Sequence, residues 1–154
     1  MSNNLRISVD KLRQVSSRLN KVSDDAAQVV KALETFLSRE CSLGVVAFVH
    51  VISHLSDPDG IDQTFTEIGY ARWNGKFRIV VSSGFMHCDE VDNTKGDMKP
   101  WSECDRSLKL LTVKKLPELL EQIAKVAEAD ATEAEQALSV VCGVIKAVDV
   151  RGAK

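Results

Sequence analysis

Apolar positions near the start of the chain fall into one register. Leu12, Val15, Leu19, Val22, Ala26, Val29, Leu33 and Phe36 follow one another at alternating intervals of three and four residues. That is a heptad seam held for more than three repeats, and neither Gly nor Pro interrupts it. The pattern predicts one helix over 9–39, roughly 45 Å long at about 1.5 Å per residue. Ser8 suits its N-cap and Asp10 its first turn, where a negative charge complements the helix dipole. Ser16 and Ser23 flank the early seam, whereas Val30 and Leu37 widen it later. The second half should therefore be buried more deeply than the first.

The C-terminal part repeats the design. Leu116, Leu120, Ile123, Ala127, Ala134, Ala137, Val141, Val144 and Val148 share one heptad register, broken only at Asp130. Pro117 fits a first helical position. The preferred reading is a continuous helix over 117–149. The competing one is a break near Asp130, because Thr132 and Glu135 form a capping-box pattern. Two helices of matched length with matched seams are expected to pack as an antiparallel pair.

Period-two patterning takes over between them. Asn74-Gly75 separates Ile68–Trp73 from Lys76–Val81, and Asn-Gly between alternating runs signals a hairpin with a two-residue type I′ turn. That turn pairs Trp73 with Lys76, Arg72 with Phe77, Ala71 with Arg78 and Tyr70 with Ile79. Ile68, Tyr70, Phe77, Ile79 and Val81 then line the core face. Gly69, Ala71, Trp73, Lys76, Arg78 and Val80 line the other. Val45–His54 is apolar on both faces near its middle and reads as a strand inside the sheet. Asp57-Pro58-Asp59-Gly60 is the turn that follows it.

The expected architecture is one α+β domain over 1–154. It has a helix at 9–39, a three-stranded antiparallel meander at 45–82, an acidic loop at 85–104 and a helical stretch at 105–149. The loop carries Asp89, Glu90, Asp92, Asp97 and Glu103 against Lys95 and Lys99. A loop of that length in a compact domain is commonly functional or disordered.

Composition narrows the function classes. The 154 residues are 44% hydrophobic and 27% charged, with net charge -2, an ordinary globular balance. A protein that held nucleic acid mainly through phosphates would usually be basic. No signal-peptide pattern opens the chain and the longest apolar stretch, 44–52, is too short to span a bilayer, so a cytoplasmic protein is expected. The four cysteines, at 41, 88, 104 and 142, form no CxxC pair and read as reduced thiols. Cys41 and Cys142 have apolar neighbours and are expected to pack as small hydrophobes.

Candidate chemistry is sparse. His50, His54, His87 and Cys88 are residue types that bind zinc, with Asp89 and Cys104 near in sequence. The spacing lacks HExxH and related signatures, however. On a strand, His50 and His54 would share a face about 13 Å apart; both could bind one metal only if 45–54 is helical, an alternative the sequence leaves open. Asp57, Asp59 and Asp62 lack the glycine and glutamate positions of a calcium loop. His87 beside Cys88 on extended chain points away from it, and no GxSxG, GxGxxG or P-loop is present.

The outer hairpin face is more specific. Trp73, Lys76 and Arg78 line up there, with Arg72 at the tip, and combine an aromatic ring with cations beside a flat floor at Gly69 and Ala71. Such a face can serve as a protein hot spot or stack a base. It can also simply be a cross-strand Trp–Lys pair that stabilises the hairpin. The reading with most support is a non-catalytic protein-interaction module, homodimeric through its helices, with no cofactor and no membrane contact. A nucleotide or single-stranded nucleic-acid binding protein and a metal-dependent enzyme are the alternatives.

Overall fold

A computed structural model describes residues 3–55, 62–87 and 95–152, with side chains over 6–53, 63–85 and 96–146. Helix α1 (Asn3–Thr35) runs into a π-helical turn, Phe36–Glu40. Four strands follow: β1 (Ala47–Leu55), β2 (Asp62–Trp73), β3 (Lys76–His87) and β4 (Lys95–Pro100). A 3-10 turn (Trp101–Glu103) leads to α2 (Arg106–Val113) and α3 (Leu116–Gly152). The fold is α+β, as its pattern predicts.

The sheet has four antiparallel strands in the order β1-β2-β3-β4, not three. The additional strand occupies part of the stretch read as an acidic loop. It pairs Lys95 with Phe85 at one end and Pro100 with Val80 at the other. Lys-Gly-Asp-Met-Lys-Pro has no apolar alternation, so hydrophobic periodicity does not reveal it. Gly96 lies opposite Gly84, and a Cβ added at Gly96 would stand 3.6 Å from the Phe65 ring. β1 lies at the border of the sheet rather than inside it. Its apolar residues are used on both faces: Ala47 and Val49 join the core, while the Phe48 ring lies over Gly69.

The hairpin register is the one its Asn-Gly turn predicts, from Trp73 opposite Lys76 to Tyr70 opposite Ile79. Asn74 and Gly75 both have positive φ, 47° and 82°, as a type I′ turn demands. A sharp departure lies in β1, where a bulge shifts the register between His50 and Ile52.

One core joins Ala47, Val49, Ile68, Tyr70, Ile79 and Val81 of the sheet to Ala26, Val30 and Leu37 of the first helical segment and Leu116, Leu119 and Ile123 of α3. Trp101 seals it, fully buried, with its indole Nε1 donating to Thr112 Oγ1 at 3.0 Å. Asp105 caps α2 by accepting the Leu108 amide at 2.9 Å.

The long helices are not an antiparallel pair. α1 packs on α2 and β3, whereas α3 packs on β1 and β2. Both are longer than the sheet they rest on. Every residue from 6 to 22 of α1 and from 128 to 146 of α3 is exposed. Each exposed stretch is about 25–28 Å long at 1.5 Å per residue. The heptad pattern gave the helical period correctly, but the sheet, not the other helix, fills the buried face. That face is also rotated from the predicted seam. In α1 and the π-helical turn that follows it, Val30 and Leu37 are buried while Val29 and Phe36 are about half exposed.

α3 passes through Asp130 without a break. Asp130 is exposed and costs the helix no desolvation. The Thr132 hydroxyl donates back to the Glu128 carbonyl at 2.9 Å instead of capping a new helix. α1 begins upstream of the expected cap, so Ser8 lies inside it. Pro117 sits in the first turn of α3. Cys41 and Cys142 are exposed rather than packed, and among the described cysteines Cys104 is the buried one. Among the described residues no helix is long and apolar enough to cross a membrane.

Candidate functional site

The hairpin brings Arg72, Trp73, Lys76 and Arg78 to one end of the sheet but gives them different surroundings. Arg72 and Lys76 are exposed, and Trp73 and Arg78 are half-buried. Arg72 pairs with Phe77, and Arg78 with Ala71. Alternation therefore places Arg72 on the opposite side of the sheet from Trp73 and Lys76. The floor is partly closed, since the Phe48 ring covers Gly69.

Arg78 is held in place. Its Nε lies 3.6 Å from Glu34 Oε1, and its Nη2 donates to Ser102 Oγ at 3.1 Å. The same Glu34 oxygen accepts the Ile79 amide at 2.8 Å. β4 ends where Pro100 meets Val80, so Glu34 supplies the acceptor that β4 no longer provides to Ile79. One carboxylate thus ties α1 to the uncovered end of β3 and fixes the guanidinium beside it.

The Glu34–Arg78 pair separates two surface clefts. The larger, about 590 Å³, lies between the π-helical turn and the hairpin and is bounded by Arg39, Ser42, Tyr70, Lys76 and Phe77. The smaller, about 440 Å³, runs past Lys31, Trp101 and Lys109. Lys109 Nζ stands 5.3 Å from the Trp101 ring centroid, within cation–π range.

The wall of the larger cleft is rigid. Tyr70 and Phe77 stack with ring centroids 5.3 Å apart at an interplanar angle of 28°. The Tyr70 hydroxyl donates to the Leu43 carbonyl at 3.3 Å. Burial, and then the nearby Cys41 and Glu34, push the Tyr70 hydroxyl above its ordinary pKa of 10.0, so it stays a neutral donor. Arg39 and Lys76 are exposed and, among the described residues, form no ion pair. This cleft offers two free cations to an anionic group. Arg39 and the π-helical turn carry no sequence motif, and only the fold brings them to the hairpin.

Of the three histidines, only His50 has a described side chain. His50 is exposed, with Nε2 at 2.8 Å from Ser53 Oγ. The bulge breaks the alternation between positions 50 and 54: His50 pairs with Glu67, but His54 pairs with Thr64. Position 87 pairs with Asp62, and the row of His50 continues to Ser82, five residues along β3. His50 and His87 are therefore roughly 17 Å apart along the strand. Cys88 lies outside the described residues, as do Asp57 and Asp59. Among the described residues no three His, Cys, Asp or Glu side chains come together as a metal site.

Cys104 is buried and donates weakly to the Pro100 carbonyl at 3.5 Å. Burial pushes its thiol up, against the opposing pull of Lys99 and Lys109, so it is a poor nucleophile. Comparison with protein families, curated proteins and solved structures finds none that matches this chain.

Proposed function

We propose that this protein is a non-catalytic interaction module that self-associates through its projecting helices and presents the hairpin end of its sheet to a protein partner. One observation carries the reading: the exposed halves of α1 and α3 retain large apolar side chains in register. In α1 these include Leu12, Val15, Leu19 and Val22, with Leu12 69% exposed. In α3 they include Leu138, Val141, Val144 and Ile145, with Leu138 63% exposed. Single exposed apolar residues are common, but two stripes in helical register, about 15 Å long from Leu12 to Val22 and about 10 Å from Leu138 to Ile145, are the pattern of an interface.

A dilution series with light scattering tests it. The chain should be dimeric at micromolar concentration, and Leu12→Asp with Leu19→Asp should make it monomeric while leaving the sheet folded. A wild-type protein that remains monomeric at high concentration would end the reading.

A second reading, binding of a nucleotide or single-stranded nucleic acid, draws support from the cleft beside Lys76. Arg39 and Lys76 supply charge there, and the neighbouring Trp73 supplies a ring. Quenching of tryptophan fluorescence by an oligonucleotide at low salt, lost in Arg39→Ala with Lys76→Ala, is the expected result. A flat titration would exclude it.

A further inference from the structure

The exposed halves of the two helices differ in charge. Residues 6–22 of α1 carry five basic side chains, Arg6, Lys11, Arg13, Arg18 and Lys21, against Asp10. Residues 128–146 of α3 carry Glu128, Asp130, Glu133 and Glu135 against Lys146. The overall charge of -2 hides this division.

The charges also lie where a helical interface would use them. Taking Leu12 and Leu19 as a positions and Val15 and Val22 as d positions, Lys11 and Arg18 fall at g, with Arg6 and Arg13 at b. In α3, Ala127, Ala134 and Val141 take a, and Ala137 and Val144 take d. Leu138 and Ile145 then fall at e. Glu133 stands at g, while Glu128 and Glu135 stand at b. Cations thus flank the α1 stripe at g and b, while in α3 the carboxylates, with Asp130 at a d position, lie along the first part of the exposed stretch, ahead of Leu138–Ile145.

Like helices brought together would set cations against cations and carboxylates against carboxylates. Unlike helices would satisfy both. Within one chain α1 and α3 rest on different strands and do not form a pair. The stripes themselves favour more than two helices. Leu at a with Ile at d shifts coiled coils toward trimers and tetramers, a pattern that the Leu and Val of α1 approach, and the a, d and e face of α3 is the wide face of a bundle helix. Two copies supply four helices.

Building on the self-association proposed above, we infer that the partner is a second copy of this chain. The basic half of α1 packs against the acidic half of α3 from the other copy, and the two equivalent contacts form a four-helix bundle. The interface is isologous, because each copy gives one basic and one acidic helix.

Charge reversal tests the pairing. Four full-length proteins are compared by light scattering and analytical ultracentrifugation, with circular dichroism as the check on folding. They are the wild type, Lys11→Glu/Arg18→Glu, Glu133→Lys/Glu135→Lys, and all four changes combined. The wild type should dimerise. Each two-residue variant should dissociate at least about tenfold more readily, and the combined variant should regain the wild-type affinity. Added salt should weaken the wild-type dimer. A wild-type dimer whose two-residue variants keep full affinity would overturn the α1-to-α3 pairing and leave self-association standing. A wild type that never dimerises would overturn both.

Discussion

Trp101 Nε1 donates to Thr112 Oγ1 at 3.0 Å in a place where neither residue has any solvent exposure. The Thr112 hydroxyl in turn donates to the Leu108 carbonyl at 2.8 Å. This chain of hydrogen bonds lets an indole close the core without an unsatisfied donor, and it locks the 3-10 turn to α2. Thr112→Val keeps the shape but orphans the indole N–H, and should destabilise the fold by about 1–3 kcal/mol. Thr112→Ser should lose distinctly less. Urea denaturation of the two variants is the check, and equal losses would argue that packing, not the hydrogen bond, matters at this site.

Glu34 has two tasks, the Ile79 amide and the Arg78 guanidinium. Glu34→Ala removes both and should cost about 1–3 kcal/mol, since the amide loses its partner. Glu34→Gln can still accept the amide and should recover most of that loss. If Glu34→Gln were as damaging as Glu34→Ala in chemical denaturation, the ion pair would be the dominant contribution instead.

Tyr70 is the chain's one tyrosine, so its titration can be read directly at 295 nm. Burial raises its pKa, and the folded protein should therefore ionise above pH 10. The folded state holds this proton more tightly than the unfolded state does. Its contribution to stability is complete below about pH 10, the unfolded pKa, and is lost as pH rises toward the folded value. Tyr70→Phe should abolish the absorbance change and flatten the alkaline loss of stability. A midpoint at or below 10 would contradict the burial.

A side chain at Gly69 has no room. Its Cβ would meet the Phe48 ring and would stand 2.8 Å from the Ala47 carbonyl oxygen. Gly69→Ala should lower stability by about 1–3 kcal/mol. Adding Phe48→Ala should relieve only part of this, because the Ala47 contact is backbone. Full relief by the second change, seen in thermal melts of the double variant, would show that the strand can shift.

Thiol accessibility separates the cysteines. In a Cys88→Ser background, Cys41 and Cys142 are exposed and Cys104 is buried. The first two should react promptly with a maleimide at neutral pH, and Cys104 only on unfolding. Mass spectrometry of the labelled peptides would show this order, and prompt modification of Cys104 would contradict its burial.

The residues that announced the fold are those whose signal is local. Asn74-Gly75 states its turn chemistry within two positions, and the whole hairpin register follows from it. Heptad spacing states helicity in the same way. What such signals omit is the identity of the neighbour. Leu33 and Val30 indicate that α1 buries a face, but not that a sheet rather than α3 covers it. Lys95–Pro100 forms a strand because β3 lends it a template, and no periodicity of its own reveals this. For the candidate site, Lys76 and Arg78 were legible from the hairpin, while Glu34 and Arg39 reach it only through tertiary folding. The bulge that shifts the register between His50 and Ile52 is likewise not marked by polar and apolar alternation.

That bulge also bears on how copies of the chain can meet. A regular outer strand exposes a row of amides and carbonyls on which another chain can add its own strand, and such growth has no natural end. β1 interrupts the row at its middle. On the far side, β4 is six residues long and ends in Pro100, which has no amide to offer. Both borders thus resist open-ended strand addition, and the closed helix-to-helix association proposed above depends on neither of them.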